Sequence, residues 1–277
     1  VLYFGHNEFL RRFAVSRSRP VRDALFRVAD LFYTVRAGRR LVRGLAADGS
    51  PAAPAAAPSF LPPDRNLTTP RAPEEDRLVF GAFEAKVAAM LADLRTRGIS
   101  TLLVLPASNL LMPPVRSHLD ASNLDAESLS AYKEGRDACA RLADRQDFAG
   151  ALERAAAMNR RFPTVAAVRF FMGQCRASLG DRAGALEDFR AARDMEFHPH
   201  RAISEIVAIL RHEARRAGIP AFDLERALLE NPALGYAGER VFRDHVHFSP
   251  EGNRAVGELV AGEIARRIPA QIKRLRP

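Results

Sequence analysis

The feature that most restricts the fold is an internal repeat. Asp147-Phe-Ala-Gly-Ala-Leu-Glu returns as Asp181-Arg-Ala-Gly-Ala-Leu-Glu, 34 residues further on. A period of that length fits one pair of antiparallel helices, which cannot bury its apolar face alone and so stacks on its neighbours. Gly173, Ala185, Phe189 and Ala192 are spaced as the small and aromatic packing positions of such a unit. The first unit is degenerate, with Ala155 where the second has Phe189, while Pro163 falls where a unit closes its second helix. The repeat predicts a helical hairpin array over 131–198. Because fewer than about three such units rarely stand alone, the array is expected to pack on the rest of the chain.

On either side of the repeat the pattern alternates between helix and strand. Residues 74–97 carry apolar side chains at helical spacing (Leu78, Phe83, Val87, Met90, Leu91, Leu94), Gly98 stops the run, and 100–105 reads as a buried strand. The loop 106–114 follows at the carboxyl end of that strand, where parallel sheets place ligand-contacting loops. After the repeat, 201–217 reads as helix, 218–223 as a short strand and 250–268 as a last helix. That last helix is opened by Ser249 as N-cap, with Glu251 in its first turn. Residues 1–4 form an apolar strand that starts at the first residue, so further parts of the fold are expected upstream. The fold class is therefore α/β, a parallel sheet flanked by helices with an all-α insert. Its divisions are 1–130, with an Ala/Pro-rich linker at 50–63, then 131–198 and 199–277. A chain of 277 residues, 47% of them hydrophobic, can bury a core of that kind.

Charge and cysteine content narrow the function classes. Ten arginines between residues 11 and 43, against Asp23 and Asp30, supply nearly all of the net +9. A nucleic-acid footprint needs basic residues along a continuous face, so nucleic acid is not an expected partner. Residues 20–45 read as a basic amphipathic helix whose ordinary role is to pack one stripe on a core, with lipid headgroups as the other candidate partner. Thr101 to Met112, the longest apolar stretch, contains Pro106 and is too short to span a bilayer. Cys139 and Cys175 lie among alanines in helical segments and read as small buried thiols. The compartment stays open, with membrane association or the cell envelope as candidates.

The chemistry-bearing motifs sit at the two ends. At the start, Tyr3-Phe-Gly-His-Asn-Glu-Phe puts Gly5 and Asn7 directly after a strand. A side-chain amide there can serve an oxyanion hole, and Gly5 lets backbone approach a substrate closely. Near the end, Asp244 and His247 stand three apart in Phe242-Arg-Asp-His-Val-His-Phe-Ser-Pro-Glu-Gly-Asn. In a turn that spacing brings a carboxylate onto an imidazole, fixing its tautomer and leaving the other nitrogen to take a hydroxyl proton. A surface loop capping the last helix explains the motif equally well. His245 with His247 as metal ligands is the lesser reading, because the sequence offers no third strong ligand cluster.

Gly5-His-Asn-Glu-Phe and Asp244-His-Val-His-Phe-Ser-Pro-Glu-Gly-Asn together resemble the third and fifth conserved blocks of SGNH (GDSL-type) ester hydrolases. The chain is further similar to a bacterial subgroup with tetratricopeptide-like repeats inserted in that domain, through Pro106-Ala-Ser-Asn-Leu, the repeats, Ala191-Ala-Arg-Asp and Arg201. The resemblance implies a flavodoxin-like parallel sheet, incomplete at its N-terminus. It also implies a serine ester hydrolase acting on an acyl ester, with carbohydrate O-acetyl groups as candidate substrates and neither cofactor nor metal. It makes Asn7, with Gly5, the oxyanion donor block, His247 the general base and Asp244 its orienting acid. The family's Gly-Asp-Ser nucleophile block is missing and expected upstream. Asp48-Gly-Ser50 lies in the linker and Ser108 in a loop, so the chain by itself is expected to be inactive. Residues 105–114 and 234–242 are candidate pocket walls. A second reading, a non-catalytic scaffold whose repeats bind a peptide or protein partner, stays open.

Overall fold

The structure, a computed structural model, describes residues 1–4, 73–114, 125–196, 199 and 201–267. These belong to one compact unit. The basic stretch 20–45, the linker 50–63, and Gly5 and Asn7 lie outside the described residues.

Three short strands, β1 (Leu2–Tyr3), β2 (Leu103–Leu105) and β3 (Ala221–Asp223), form a parallel sheet in the order β1-β2-β3. Leu2 is opposite Leu103 and Tyr3 opposite Val104, while Val104 faces Phe222 and Leu105 faces Asp223 across the other ladder. Eight α-helices accompany the sheet among the described residues. Before and within the repeat region come α1 (Pro73–Thr96), α2 (Ala126–Asp144), α3 (Phe148–Arg161), α4 (Ala166–Ser178) and α5 (Arg182–Asp194). After it come α6 (Ser204–Ala217), α7 (Leu224–Glu230) and α8 (Pro250–Arg267). The protein is thus mixed α/β and mostly helical.

The same device launches two of the strands. α1 and α6 each end in a glycine with positive φ, Gly98 and Gly218, both at 66°. The amide of the glycine reaches back to Arg95 or Arg215, and that of the next residue to Leu94 or Ala214. This Schellman closure satisfies the last helical carbonyls and turns the chain into β2 and β3. The ladders are shorter than the apolar runs 100–105 and 218–223 predict. Leu103 N–H donates to Pro220 C=O at 3.0 Å, but a proline has no amide to continue the ladder in the other direction.

Strand alternation then separates two apolar layers. Leu103 and Leu105 pack against Phe83, Val87 and Leu91 of α1 and Ile206, Ile209 and Leu210 of α6. Leu102, Val104 and Phe222 pack on the other side with Leu224, Leu228, Val241 and Phe242, and α8 adds Val256, Leu259 and Val260.

The repeated heptapeptide has the same structure in both copies. Asp147 and Asp181 cap α3 and α5, each accepting from the amide of a glycine three residues on, Gly150 or Gly184, at 2.9 Å. The residues before them, Gln146 and Gly180, both have positive φ (61° and 81°). Ala151 and Ala185 are fully buried. In the second copy the Phe189 ring lies over Gly173, where a Cβ would come within 2.7 Å of it. In the first, Cys139 and Ala155 occupy those positions. Cys139 and Cys175 are buried free thiols, and burial raises both, Cys175 to about 11.

Arginines fasten this helical region to the segment after β3. Arg182 donates to the carbonyls of Leu229 (2.9 Å) and Gly235 (2.7 Å) and lies over the Tyr236 ring at 4.6 Å. Arg193, buried, pairs with Glu225 at 2.9 Å. Phe189 completes the joint edge-on to Tyr236, with ring centroids 5.9 Å apart.

Candidate active site

The turn before α8 is built by its own backbone. Arg243 N–H donates to His247 C=O at 2.8 Å, Ser249 N–H donates to Val241 C=O at 2.8 Å, and Phe242 bridges Phe248 in antiparallel fashion. Ser249 opens α8 as the sequence predicts, its hydroxyl accepting from Gly252 N–H at 2.9 Å and donating to Arg240 C=O. Gly252 lies flat on the turn: a Cβ there would sit 2.7 Å from the carbonyl carbon of Val241 and 3.0 Å from its Cα.

Inside the turn, Asp244 uses both carboxylate oxygens. Oδ1 accepts from the amides of Val246 (2.9 Å) and His247 (2.8 Å), while Oδ2 lies 2.7 Å from His247 Nδ1. Partial burial pushes the Asp244 carboxyl up, but the two amides and the imidazole outweigh it and hold the pKa below the ordinary value. A carboxylate can only accept, so neutral His247 carries its proton on Nδ1 and leaves Nε2 as the base. The His247 side chain is 77% exposed, which opens Nε2 to an approaching hydroxyl. Asp244 and His247 are thus brought together as the sequence predicts.

Two neighbours set where this dyad lies. Tyr3, the last residue of β1, has its ring 6.1 Å from that of Phe248 and its hydroxyl 3.4 Å from Ala107 C=O. Burial raises the Tyr3 phenol to about 12, so it is neutral. The loop 106–114 after β2 lies against the turn, with Asn109 N–H donating to His245 C=O at 3.0 Å and His245 Nε2 3.3 Å from Pro113 C=O. The dyad therefore sits at the carboxyl end of the sheet. The two candidate wall segments touch there, since a Cβ on Gly238 would meet Leu111 Cδ1 at 2.8 Å. A cavity of about 1100 Å³, lined by Thr101, Leu102, Gly218 and Pro220, is at the amino end of β2 and β3 instead, away from this chemistry.

Arg201, marked in the sequence only through the family resemblance, supports the loop, and its pairing with Glu196 is the contact the sequence does not announce. Its guanidinium, 1% exposed, pairs with fully buried Glu196 at 2.6 Å and donates to the carbonyls of Asn109 and Met112, the latter at 3.3 Å. Burial lowers its pKa, and Glu196 opposes that shift. Nothing in the spacing of Glu196 and Arg201 announces a buried pair; it depends on the loop folding over them.

His245, half-buried, is held by a backbone carbonyl, and burial followed by the charge of Arg201 lowers its pKa. Among the described residues, the atoms of Glu84, His212 and Glu213 come within 4.8 Å of one another, a grouping the sequence did not suggest. It lies on α1 and α6, and Glu213 there already pairs with Arg216 at 2.9 Å. Asn7 and Gly5, the other candidate site residues, are outside the described residues.

Comparison with family models, curated proteins and solved structures finds no match for this chain.

Proposed function

We propose that this chain supplies the general base and oxyanion donor of a serine ester hydrolase of the SGNH type, acting on an acyl ester. The observation that carries the reading is the Asp244–His247 pair. One carboxylate oxygen is tied to the turn's own amides, the other lies 2.7 Å from Nδ1, and Nε2 is left open at the carboxyl end of a parallel sheet. The seat of Tyr3 on Phe248 supports it further, because the strand leading to Gly5 and Asn7 ends beside the histidine turn.

In the proposed reaction a serine hydroxyl gives its proton to His247 Nε2 while its oxygen attacks the ester carbonyl. Asn7 donates to the resulting oxyanion. The imidazolium, steadied by Asp244, returns the proton to the departing alcohol. Water, or a second hydroxyl, then repeats the sequence on the acyl-enzyme and releases the acid or a new ester. Ser249 is spent on the α8 cap and Ser108 is buried, so neither of these two serines beside the site is read as the nucleophile. The sheet is read as the SGNH flavodoxin-like core and α2–α5 as two tetratricopeptide-like units inserted in it. Carbohydrate O-acetyl groups are the proposed substrates.

Hydrolysis of p-nitrophenyl acetate by the full gene product carrying this chain tests the reading. His247→Ala is expected to lower kcat about 10²- to 10⁴-fold at unchanged fold, as loss of a positioned general base does. Turnover that survives the substitution would show that the imidazole serves the helix cap alone. No turnover by the unaltered gene product on any acyl ester would favour the non-catalytic repeat scaffold.

A further inference from the structure

The two repeat units differ at three positions that touch one another. In the second unit these are Gly173, Phe189 and Ala192; in the first they are Cys139, Ala155 and Met158. Phe189 fills its unit completely, being 1% exposed and set against Gly173 and the Phe170 ring at 5.3 Å. Ala155 leaves that aromatic volume empty in the first unit. Met158 takes part of it, reaching over Gly135, where a Cβ would come within 2.8 Å of its sulfur, and touching Cys139 Sγ at 3.7 Å. Continuous with the vacated place is a cavity of about 490 Å³ between α2, α3 and α4, floored by Cys139, Ala155, Met158, Val168 and Phe171. That volume falls within the usual range of small-molecule sites, roughly 300–1,000 Å³.

Lys133 and Arg136 of α2 line the same cavity, and among the described residues no carboxylate does. Arg136 is held by Asp137 at 2.8 Å, so Lys133 carries the net charge there. An apolar floor with a cation on its lining complements an apolar chain that ends in one negative charge. The flexible thioether of Met158 lets the floor adjust to such a chain, where a rigid aromatic would not.

We propose that this cavity is a binding site for a single-chain carboxylate of fatty-acid type, with the hydrocarbon over Ala155 and Met158 and the carboxylate at Lys133. The site is separate from the Asp244–His247 turn and stands whether or not that turn is catalytic.

The test is displacement of a fluorescent fatty acid, 11-(dansylamino)undecanoate, from the purified chain by octanoate, decanoate and dodecanoate below their micellar concentrations. Affinity is expected to rise up to about fourfold per added methylene until the cavity is full, and decanoate is expected to bind at least fivefold more tightly than decanol. The variant C139G/A155F/M158A copies the second unit's packing into the first; it is expected to fold and to lose binding at least 30-fold. Lys133→Gln with Arg136→Gln, both exposed, leaves the floor intact and is expected to weaken decanoate at least fivefold without changing decanol. Unchanged binding in the filled variant, equal affinity for acid and alcohol, or no saturable displacement would each overturn the proposal. So would capture of peptides ending in Leu or Phe with no displacement by fatty acids.

Discussion

Replacing Arg201 by Met should destabilise the protein by about 3–5 kcal/mol, the cost of breaking a buried ion pair and stranding its partner. The guanidinium is 1% exposed and Glu196 is fully buried, and the 2.6 Å contact between them is supplemented by donations to Asn109 and Met112 carbonyls. Methionine fills much the same volume, so the loss is electrostatic and not a cavity effect. In Glu196→Gln/Arg201→Met no charge remains to be stranded, and most of the loss should return, leaving about 1–2 kcal/mol for the unserved loop carbonyls. Urea denaturation of the four members of the cycle measures this, with a coupling energy of at least about 2 kcal/mol expected. In thermal melts the single variant should fall by roughly 10 °C. A single variant within 1 kcal/mol of the parent, or a double variant no better than the single, would refute the reasoning.

Three smaller effects should accompany it. Gly252→Ala forces a methyl onto the Val241 backbone and should destabilise by about 1–3 kcal/mol, whereas Gly257→Ala, in the same helix with open space around it, should stabilise by about 0.5–1 kcal/mol; guanidinium melts distinguish them. Asp147→Ala and Asp181→Ala each remove the same cap and should each cost about 1 kcal/mol, with the Asp181 variant no less costly because it also gives up the 3.7 Å contact with Arg176. The lowered pKa of His245 means that the unfolded chain binds its proton first, so this residue's contribution is complete above about pH 6.5 and is lost as pH falls from there through the folded value. His245→Gln should flatten stability against pH in that window.

Much of the frame is legible in the sequence because it is written in local chemistry. The 34-residue repeat marks two superposable caps, Gly98 and Ser249 mark a helix end and a helix start, and the Asp-x-x-His spacing already brings Asp244 onto His247. Contacts that depend on distant segments are not legible. The Arg201–Glu196 pair has meaning only once Asn109 and Met112 lie above it, and the joint of Arg182 with Leu229 and Gly235 crosses about fifty residues. Strand ends are also misjudged from apolar runs, since Pro220 limits the ladder by lacking an amide. The empty place of Phe189 in the first unit is visible in the sequence as Ala155, but that Met158 fills only part of it is a matter of packing.

The central claim is that His247, steered by Asp244, activates a serine. Fluorophosphonate labelling of the full gene product measures it most directly. The account predicts rapid covalent modification of one serine, slowed at least a hundredfold by His247→Ala and strongly by Asp244→Asn, with circular dichroism unchanged in both. Labelling that proceeds at the parent rate in either variant would contradict it.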